Sequence, residues 1–170
     1  MNEFVFGFST GLSLILAIGA QNLFVIEQGI KKNNIFLVTS ICILGDFLLI
    51  FFGIFLFHSI KNFINDLINL LLSICLVLFL LNFIWLKLKT FKYDIEFSQT
   101  HSQTSKSKIT LQTLAFTFLN PHVYSDTVFI LGNLSKNFPT ISDKVLFGLG
   151  ASLASFIFFY FLGYGAQSLR

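Results

Sequence analysis

The stretch of sequence that decides the fold class is IFLVTSICILGDFLLIFFGIFLF, residues 35–57. Asp46 is its only charged residue, and at about 1.5 Å per residue an α-helix of this length crosses the ~30 Å hydrocarbon layer of a bilayer. Four more apolar runs of similar length occupy residues 4–26, 63–86, 111–134 and 145–169. The sequence therefore predicts an all-α integral membrane protein with about five transmembrane helices.

The composition excludes a soluble globular domain. Hydrophobic residues make up 55% of the 170-residue chain and charged residues only 11%, whereas soluble domains are about one quarter charged. The polar segments between the runs are residues 27–34, 58–62, 87–110 and 135–144. The first run has no preceding basic residue and is longer than a signal-peptide h-region, so we expect it to stay in the mature protein. We expect residues 1–170 to form a single membrane domain.

The lysines and arginine indicate how the chain is oriented, because basic residues near helix ends mark the cytoplasmic side. With the N-terminus outside, eight of them lie inside and three outside. The inward set is Lys31, Lys32, Lys87, Lys89, Lys92, Lys106, Lys108 and Arg170, and the outward set is Lys61, Lys136 and Lys144. This bias predicts an N-out, C-in arrangement in which the segment 87–110 is a cytoplasmic loop.

Two of the apolar runs contain polar interruptions near their middle. Residues 17–22 of the first run read AIGAQN, and residues 119–122 of the fourth read LNPH. Many transporters consist of two inverted halves with broken helices in corresponding positions. The pattern predicts a 3+3 inverted repeat with a first half at residues 1–86 and a second half at residues 111–170. The sixth helix is missing on this interpretation, so the chain is either truncated or a five-span form.

Asp46 and Asp126 are carboxylates inside these runs. A charge in the membrane interior costs a few kcal/mol or more, so such residues usually face a cavity, a partner or a proton. Asp126 follows His122 by four residues, which places both side chains on one helix face, where the pair can relay protons. Two alternatives stay open: Asp46 is a neutral carboxyl group bonded to a neighbouring helix, and His122 with Asp126 is an interfacial pair.

The two polar interruptions predict breaks in the helices. Pro121 removes a backbone donor and drives the preceding residue away from helical angles, and Gly19 lowers helix preference more weakly. Non-helical backbone is tolerated in a membrane only where it is buried or lines a cavity, so the breaks predict a substrate site between the halves. The predicted substrate- or proton-binding residues are Asp46, Asp126, Gln21, Asn22, Asn120 and His122, with the helix breaks at Gly19 and Pro121. The alternative is two unrelated packing kinks.

Small residues predict close helix packing in the first and last runs. Gly7 and Gly11 are spaced as in a GxxxG motif, and residues 148–155 contain two glycines with several alanines and serines. Such positions let the backbones of two helices approach closely.

The absence of basic residues from the interior of the apolar runs predicts the charge of the substrate. No Lys or Arg lies in the interior of any run, so nothing fixed neutralises Asp46 or Asp126. Their counter-charge must be mobile and positive: a proton, a cation or a cationic substrate. The positive N-terminal ends of half-helices at the breaks would receive a carboxylate without any Arg. An amino acid with an additional positive charge matches this arrangement.

Four parts of the sequence resemble the signatures of one transporter family. They are AIGAQNLFV at residues 17–25 with Gln28 and Gly29, CxxGD at residues 42–46, the segment 113–127 that contains LNPHVY, and the segment 151–166 that contains ASLASF. In these parts, and over essentially its whole length, the chain closely resembles the LysE-type basic amino acid exporters.

The resemblance implies a secondary transporter that exports L-lysine or L-arginine across the bacterial inner membrane, driven by the membrane potential or by proton antiport. Two departures from the family pattern stand out. The usual Ser before the acid of the second span is Gly45 here, which we expect to loosen that site without removing the charge. Family members usually continue for about one more hydrophobic segment past the position equivalent to Arg170.

The predicted function is therefore export of cationic L-amino acids, with the lipid bilayer and a basic amino acid as partners. Two alternatives stay open: a metal-cation exporter, and a truncated, non-transporting membrane partner. The sequence contains no nucleophile motif, phosphate loop or metal-ligand cluster, so we expect no enzyme, no bound cofactor or metal and no nucleic-acid partner. The choice of lysine or arginine, the coupling ion and the formation of a homo-oligomer stay open.

Overall fold

The structure of the protein is a computed structural model, and it describes residues 3–60 and 105–169 together with the single positions 74 and 78. Apart from those two positions, the predicted third span at 63–86 and residues 87–104 of the predicted loop lie outside the described residues. Within the described ranges every regular element is a helix, in agreement with the predicted all-α class.

The helices follow one another with short connections. In chain order they are α1 (Glu3–Ile15), α2 (Ala20–Ile30), α3 (Ile35–Ile60), α4 (Lys106–Phe118), α5 (Pro121–Tyr124), a π-helix (Ser125–Leu131), α6 (Gly132–Leu134) and α7 (Ile141–Gly165), with 3₁₀ turns at Ser135–Asn137 and Ala166–Leu169. The start of α7 is fixed by a capping box, in which the Thr140 hydroxyl accepts from the backbone N–H of Asp143 at 3.1 Å. This cap places the first turn of α7 ahead of the predicted span.

Two of the described helices are long and apolar enough to cross a membrane, namely the segments Ile35–Ser59 and Ile141–Ser168. They correspond to the predicted spans at 35–57 and 145–169. The helices α1 and α2 meet the same criterion only as a pair, bent by 78° where the chain leaves helical geometry between them. The described residues thus contain two spans, or three if the bent pair is one broken span.

The predicted fourth span is also divided in the structure. Helix α4 begins at Lys106, ahead of the predicted start at residue 111, and ends at Phe118 before the chain resumes at Pro121. The first turn of α4 contains Lys and Ser, and long basic side chains extend to the membrane–water interface. This start of α4 is therefore compatible with a position at the edge of the apolar layer or outside it. Each predicted interruption therefore overlaps a break in the helix, at residues 16–19 and 119–120, and its remaining residues begin the next helix.

Helices α1 and α7 pack against each other at the small residues that the sequence singled out. A Cβ on Gly7 would collide with the carbonyl of Phe147, and one on Gly11 would lie 2.8 Å from the Cα of Ala151. From the other side, a Cβ on Gly150 would collide with the carbonyl of Phe4. The absence of side chains at these glycines is what lets the two backbones touch, as predicted.

Helix α3 holds the second break in place through contacts on either side of it. A Cβ on Gly45 would overlap the methyl group of Thr117 in α4, and one on Gly53 would lie 2.7 Å from the Cα of Val128 in the π-helix. The break between α4 and α5 therefore lies against the turns of α3 that contain Asp46. These contacts bring the first carboxylate and the second break together.

Candidate functional site

A single cavity brings together all six residues predicted to bind substrate or protons. Its volume is about 530 Å³ with the open space at its mouth, and it is lined by Gln21, Asn22, Asp46, Asn120, His122 and Asp126. Gly19 also lines it, and the rest of its wall is mostly apolar, with Ile50, Leu131 and Phe159 among the lining residues. Three of the six residues come from α2 and α3, and the other three come from the segment 120–126. The cavity therefore lies between the two regions of the chain that contain the breaks.

The first break is stabilised by Asn22. Its side-chain nitrogen donates to the carbonyl of Ile15 at 3.1 Å and to that of Ala17 at 3.2 Å. These carbonyls lie at the end of α1 and lack helical partners because the chain turns away, and lipid would offer them no replacement. Since the Asn22 nitrogen is committed to the break, its predicted role toward a ligand is limited to its oxygen.

The first break also leaves the N-terminus of α2 open. Gly19 is extended there, with φ −103° and ψ −178°, and no side chain caps the helix. The first N–H groups of a helix have no intrahelical acceptor and carry the positive end of its dipole. Gln21 and Asn22, in the first turn of α2, line the cavity, so this positive helix end lies at the cavity wall.

The second break begins at Asn120, which has extended backbone angles of φ −90° and ψ 109°. Its side-chain oxygen accepts from the backbone N–H of His122 at 3.2 Å and so caps α5. Pro121 takes the first position of that helix, where its missing N–H leaves nothing unsatisfied. The side-chain nitrogen of Asn120 is not used by this cap.

The two breaks face each other directly. A Cβ placed on Gly19 would lie 3.4 Å from the imidazole Cδ2 of His122 and 3.9 Å from the side-chain nitrogen of Asn120. Residues about one hundred positions apart in the sequence thus meet at one point. Two unrelated packing kinks would not require this contact.

Asp46 is held deep in the cavity wall. Asp46 is only 5% exposed, and its Oδ2 accepts a hydrogen bond from the hydroxyl of Ser155 in α7 at 2.7 Å. Gln21 lines the same wall and donates to the Thr117 hydroxyl at 3.4 Å. The hydrogen bond to α7 agrees with the alternative in which Asp46 only bonds to a neighbouring helix. That alternative does not explain why the carboxylate also lines the cavity.

Asp126 occupies a more open position. Its Oδ1 lies 3.4 Å from the imidazole Nδ1 of His122, and the hydroxyl of Ser125 donates to the same oxygen at 3.1 Å. The side chains of His122 and Asp126 are 34% and 18% exposed. The predicted i,i+4 pairing is therefore present, and it opens on the cavity that Asp46 also lines.

The second carboxylate, Asp126, lies in a π-helix that the sequence does not predict. The segment Ser125–Leu131 contains the wider helical turns of a π-helix, a rare feature that is frequent at functional sites. Its place in the chain, directly after the proline-led α5, fits a helix that adjusts locally after a break. No pattern of hydrophobic residues distinguishes such a turn from an ordinary α-helix.

Two further polar residues near Asp46 were also missed. The sequence places Ser155 among the small packing residues of the last run and Thr117 within the segment 113–127 that carries the family resemblance, without a role for either side chain. The expectation that Gly45 loosens the site is wrong, because the methyl group of Thr117 fills the space that a side chain at residue 45 would take. Gly45 instead lets α4 approach α3.

The electrostatics of the cavity favour a cation. Among the described residues that line it there is no Lys or Arg, while two carboxylates and a histidine are present. Charges in such a desolvated place interact more strongly than in water. The site is therefore suited to a mobile positive group, with the amide groups of the breaks available for polar parts of a ligand.

Comparison with known proteins identifies relatives over nearly the whole chain. The family described as LysE type translocator matches residues 12–170. No solved structure matches the chain significantly.

Three similar proteins are each named Arginine exporter protein ArgO. The one from Serratia proteamaculans is 35% identical over 161 residues, covering 94% of this chain and 78% of the relative. That of Pectobacterium atrosepticum is 36% identical over 92% of this chain and 76% of the relative. That of Pectobacterium carotovorum is 37% identical over 94% of this chain and 78% of the relative. The chain therefore belongs to the LysE type translocator family.

Proposed function

We propose that this protein is a secondary transporter that exports cationic L-amino acids, arginine or lysine, across the bacterial inner membrane. The observation that carries the proposal is the cavity between the two helix breaks, whose described lining has two carboxylates and no Lys or Arg. Relatives named as arginine exporters, at 35–37% identity, support the same substrate class.

In this proposal the two carboxylates have different tasks. Asp46 is nearly inaccessible and binds the positively charged side-chain group of the substrate. Asp126 is more exposed and paired with His122, and the pair exchanges a proton with the outside, which would couple export to proton antiport. The accessible pair suits proton exchange because a proton must reach it from water.

The α-carboxylate of the substrate requires hydrogen-bond donors, and its α-amine requires hydrogen-bond acceptors. The open N-terminus of α2 and the side-chain nitrogen of Asn120 are donors and suit the α-carboxylate. The oxygens of Asn22 and Gln21 are acceptors and suit the α-amine. Uncharged groups at the two breaks thereby bind the α-amine and α-carboxylate that all amino acids share. The carboxylates of the cavity select substrates with an additional positive charge on the side chain.

The proposed architecture is a 3+3 inverted-repeat transporter fold, with the N-terminus outside. Two observations support it: the break between α1 and α2 and the break between α4 and α5 occupy corresponding positions in the two proposed halves, and they meet at Gly19 and His122. Rocking of one half against the other about a fixed site would expose the cavity alternately to each side.

The metal-cation alternative is less well supported by the same site. Hard cations take about six oxygen ligands, and within residues 3–60 and 105–169 no three His, Cys, Asp or Glu side chains lie close enough together to hold one metal ion. The mostly apolar wall of the cavity also suits the methylene chain of an amino acid. The non-transporting alternative is decided by the experiment below.

Efflux from intact cells tests the proposed function. Cells that lack their own basic amino acid exporters are loaded with labelled arginine, lysine or leucine through dipeptides, with and without this chain. We expect expression to accelerate efflux of arginine or lysine several-fold and to leave leucine efflux unchanged. Equal acceleration of leucine, or no acceleration although the protein is present in the membrane, would contradict the proposal, and a change in metal tolerance alone would favour the metal-cation alternative.

A further inference from the structure

The hydroxyl of Ser155 is used differently from most hydroxyls of the described helices. Most of those that form hydrogen bonds donate to a carbonyl of their own helix, as Thr39, Thr113 and Thr127 do toward the residue four positions earlier. Ser152, one turn before Ser155 on α7, donates in this way to the carbonyl of Gly148 at 2.8 Å. Ser155 donates instead across the helix interface to Asp46, at 2.7 Å.

This bond lies in a place from which water is nearly excluded. Ser155 is 3% exposed and Asp46 is 5% exposed, and both line the cavity. A short O–H···O⁻ bond to a carboxylate is about twice as strong as a bond between neutral groups. A carboxylate has about four acceptor positions, so one bond from Ser155 fixes its orientation and leaves capacity for a ligand.

The contacts of α7 make Ser155 a fixed point. Helix α7 is held against α1 by the contacts of Gly150 and Ala151, one turn before Ser155. A donor on such a helix can hold a carboxylate in one rotamer, whereas a donor on a loop would move with it. Asp46 itself lies on α3, which α7 also contacts through Gly148 and Ile54.

We infer that Ser155 is a positioning residue of the transport site: it orients the Asp46 carboxylate toward the positively charged side-chain group of the substrate. The inference rests on the proposed function and deepens it, because it assigns the selectivity of the site to an interaction between α3 and α7. Ser155 acts through Asp46 and need not touch the substrate.

Three variants on α7 test the inference in a concentration series of arginine and lysine efflux from proteoliposomes. Ser155→Ala is expected to raise KM about tenfold or more, from the loss of a hydrogen bond to a charged group, and to leave the maximal rate within about twofold. Ser155→Thr keeps the hydroxyl and is expected to restore most of the affinity. Ser152→Ala, whose hydroxyl only serves its own helix, is expected to leave both quantities unchanged.

A spectroscopic measurement separates this inference from the proposed function. The carboxyl infrared band of Asp46, identified by its absence in Asp46→Asn, is expected to move in Ser155→Ala and to stay in Ser152→Ala. An unmoved band, or an unchanged KM in Ser155→Ala, overturns the inference. If the wild-type protein transports neither amino acid, the proposed function and the substrate part of the inference fail together, while the band still decides whether Ser155 orients Asp46.

Discussion

An Asp46→Asn variant is expected to insert into the membrane and to lose nearly all efflux of arginine and lysine. The amide has the shape of the carboxylate but no charge, so a desolvated cationic group would enter a wall that no longer balances it. Removing one partner of a buried charge pair costs about 2–5 kcal/mol, which corresponds to a loss of at least about 30-fold in affinity. The measurement is efflux of labelled amino acid, normalised to the amount of protein in the membrane.

Glu27→Gln is the matched control for this variant. Glu27 is an acid of the same region of the chain, but it is exposed and paired with Lys31 at 2.6 Å on the helix surface. Surface ion pairs of this kind contribute about 0–1 kcal/mol, so efflux should be unchanged. Undiminished efflux in Asp46→Asn would remove Asp46 from the mechanism and leave Asp126 as the candidate for binding the substrate.

A Gly150→Leu variant is expected to disrupt the packing of α1 on α7 and to lower the stability of the whole protein. The added side chain would begin at a Cβ that collides with the carbonyl of Phe4. Overpacking against movable side chains costs about 1–3 kcal/mol, and backbone cannot move aside as a side chain can. We expect a lower melting temperature and a loss of monodisperse protein in mild detergent.

Gly165→Leu provides the control on the same helix. Within the part of the chain that the structure describes, no atom beyond the adjacent residues and the helix's own backbone lies within 4 Å of a Cβ at Gly165, so the larger side chain meets open space there. Its melting temperature should stay close to that of the wild type. Equal melting temperatures for the two variants would show that α1 and α7 do not pack as described.

The sequence was sufficient to locate the long helices and both breaks. The spans at 35–57 and 145–169 follow from long apolar runs without a proline, and their helices begin and end within a few residues of the prediction. Pro121 cannot continue α4 without losing a hydrogen bond, so the second break is dictated locally. The convergence of the six predicted residues on one cavity follows once two broken helices must cover each other's free backbone groups.

Apart from the π-helix, the details that the sequence did not reveal depend on contacts between segments that are distant in the sequence or separated by a break. Whether a serine hydroxyl donates to its own helix, as Ser152 does, or to a neighbour, as Ser155 does, is decided by what lies opposite. Gly45 was misread for the same reason, since the group that fills its space belongs to Thr117 on another helix. Asn22 lines the cavity as predicted, but its side-chain nitrogen stabilises the first break and is not available to a ligand. Only the structure shows which backbone carbonyls this break leaves without a helical partner.

The central claim is that the cavity recognises the positive charge of an amino acid side chain, and binding of arginine against citrulline tests it most directly. Citrulline has the same length and the same α-amine and α-carboxylate, but a neutral urea group replaces the guanidinium. The measurement is the displacement of labelled arginine from the purified protein by each compound. We predict that unlabelled arginine displaces the label and that citrulline does so at least about 30-fold more weakly, as for the loss of a buried charge pair. Equal displacement by the two compounds would contradict the account.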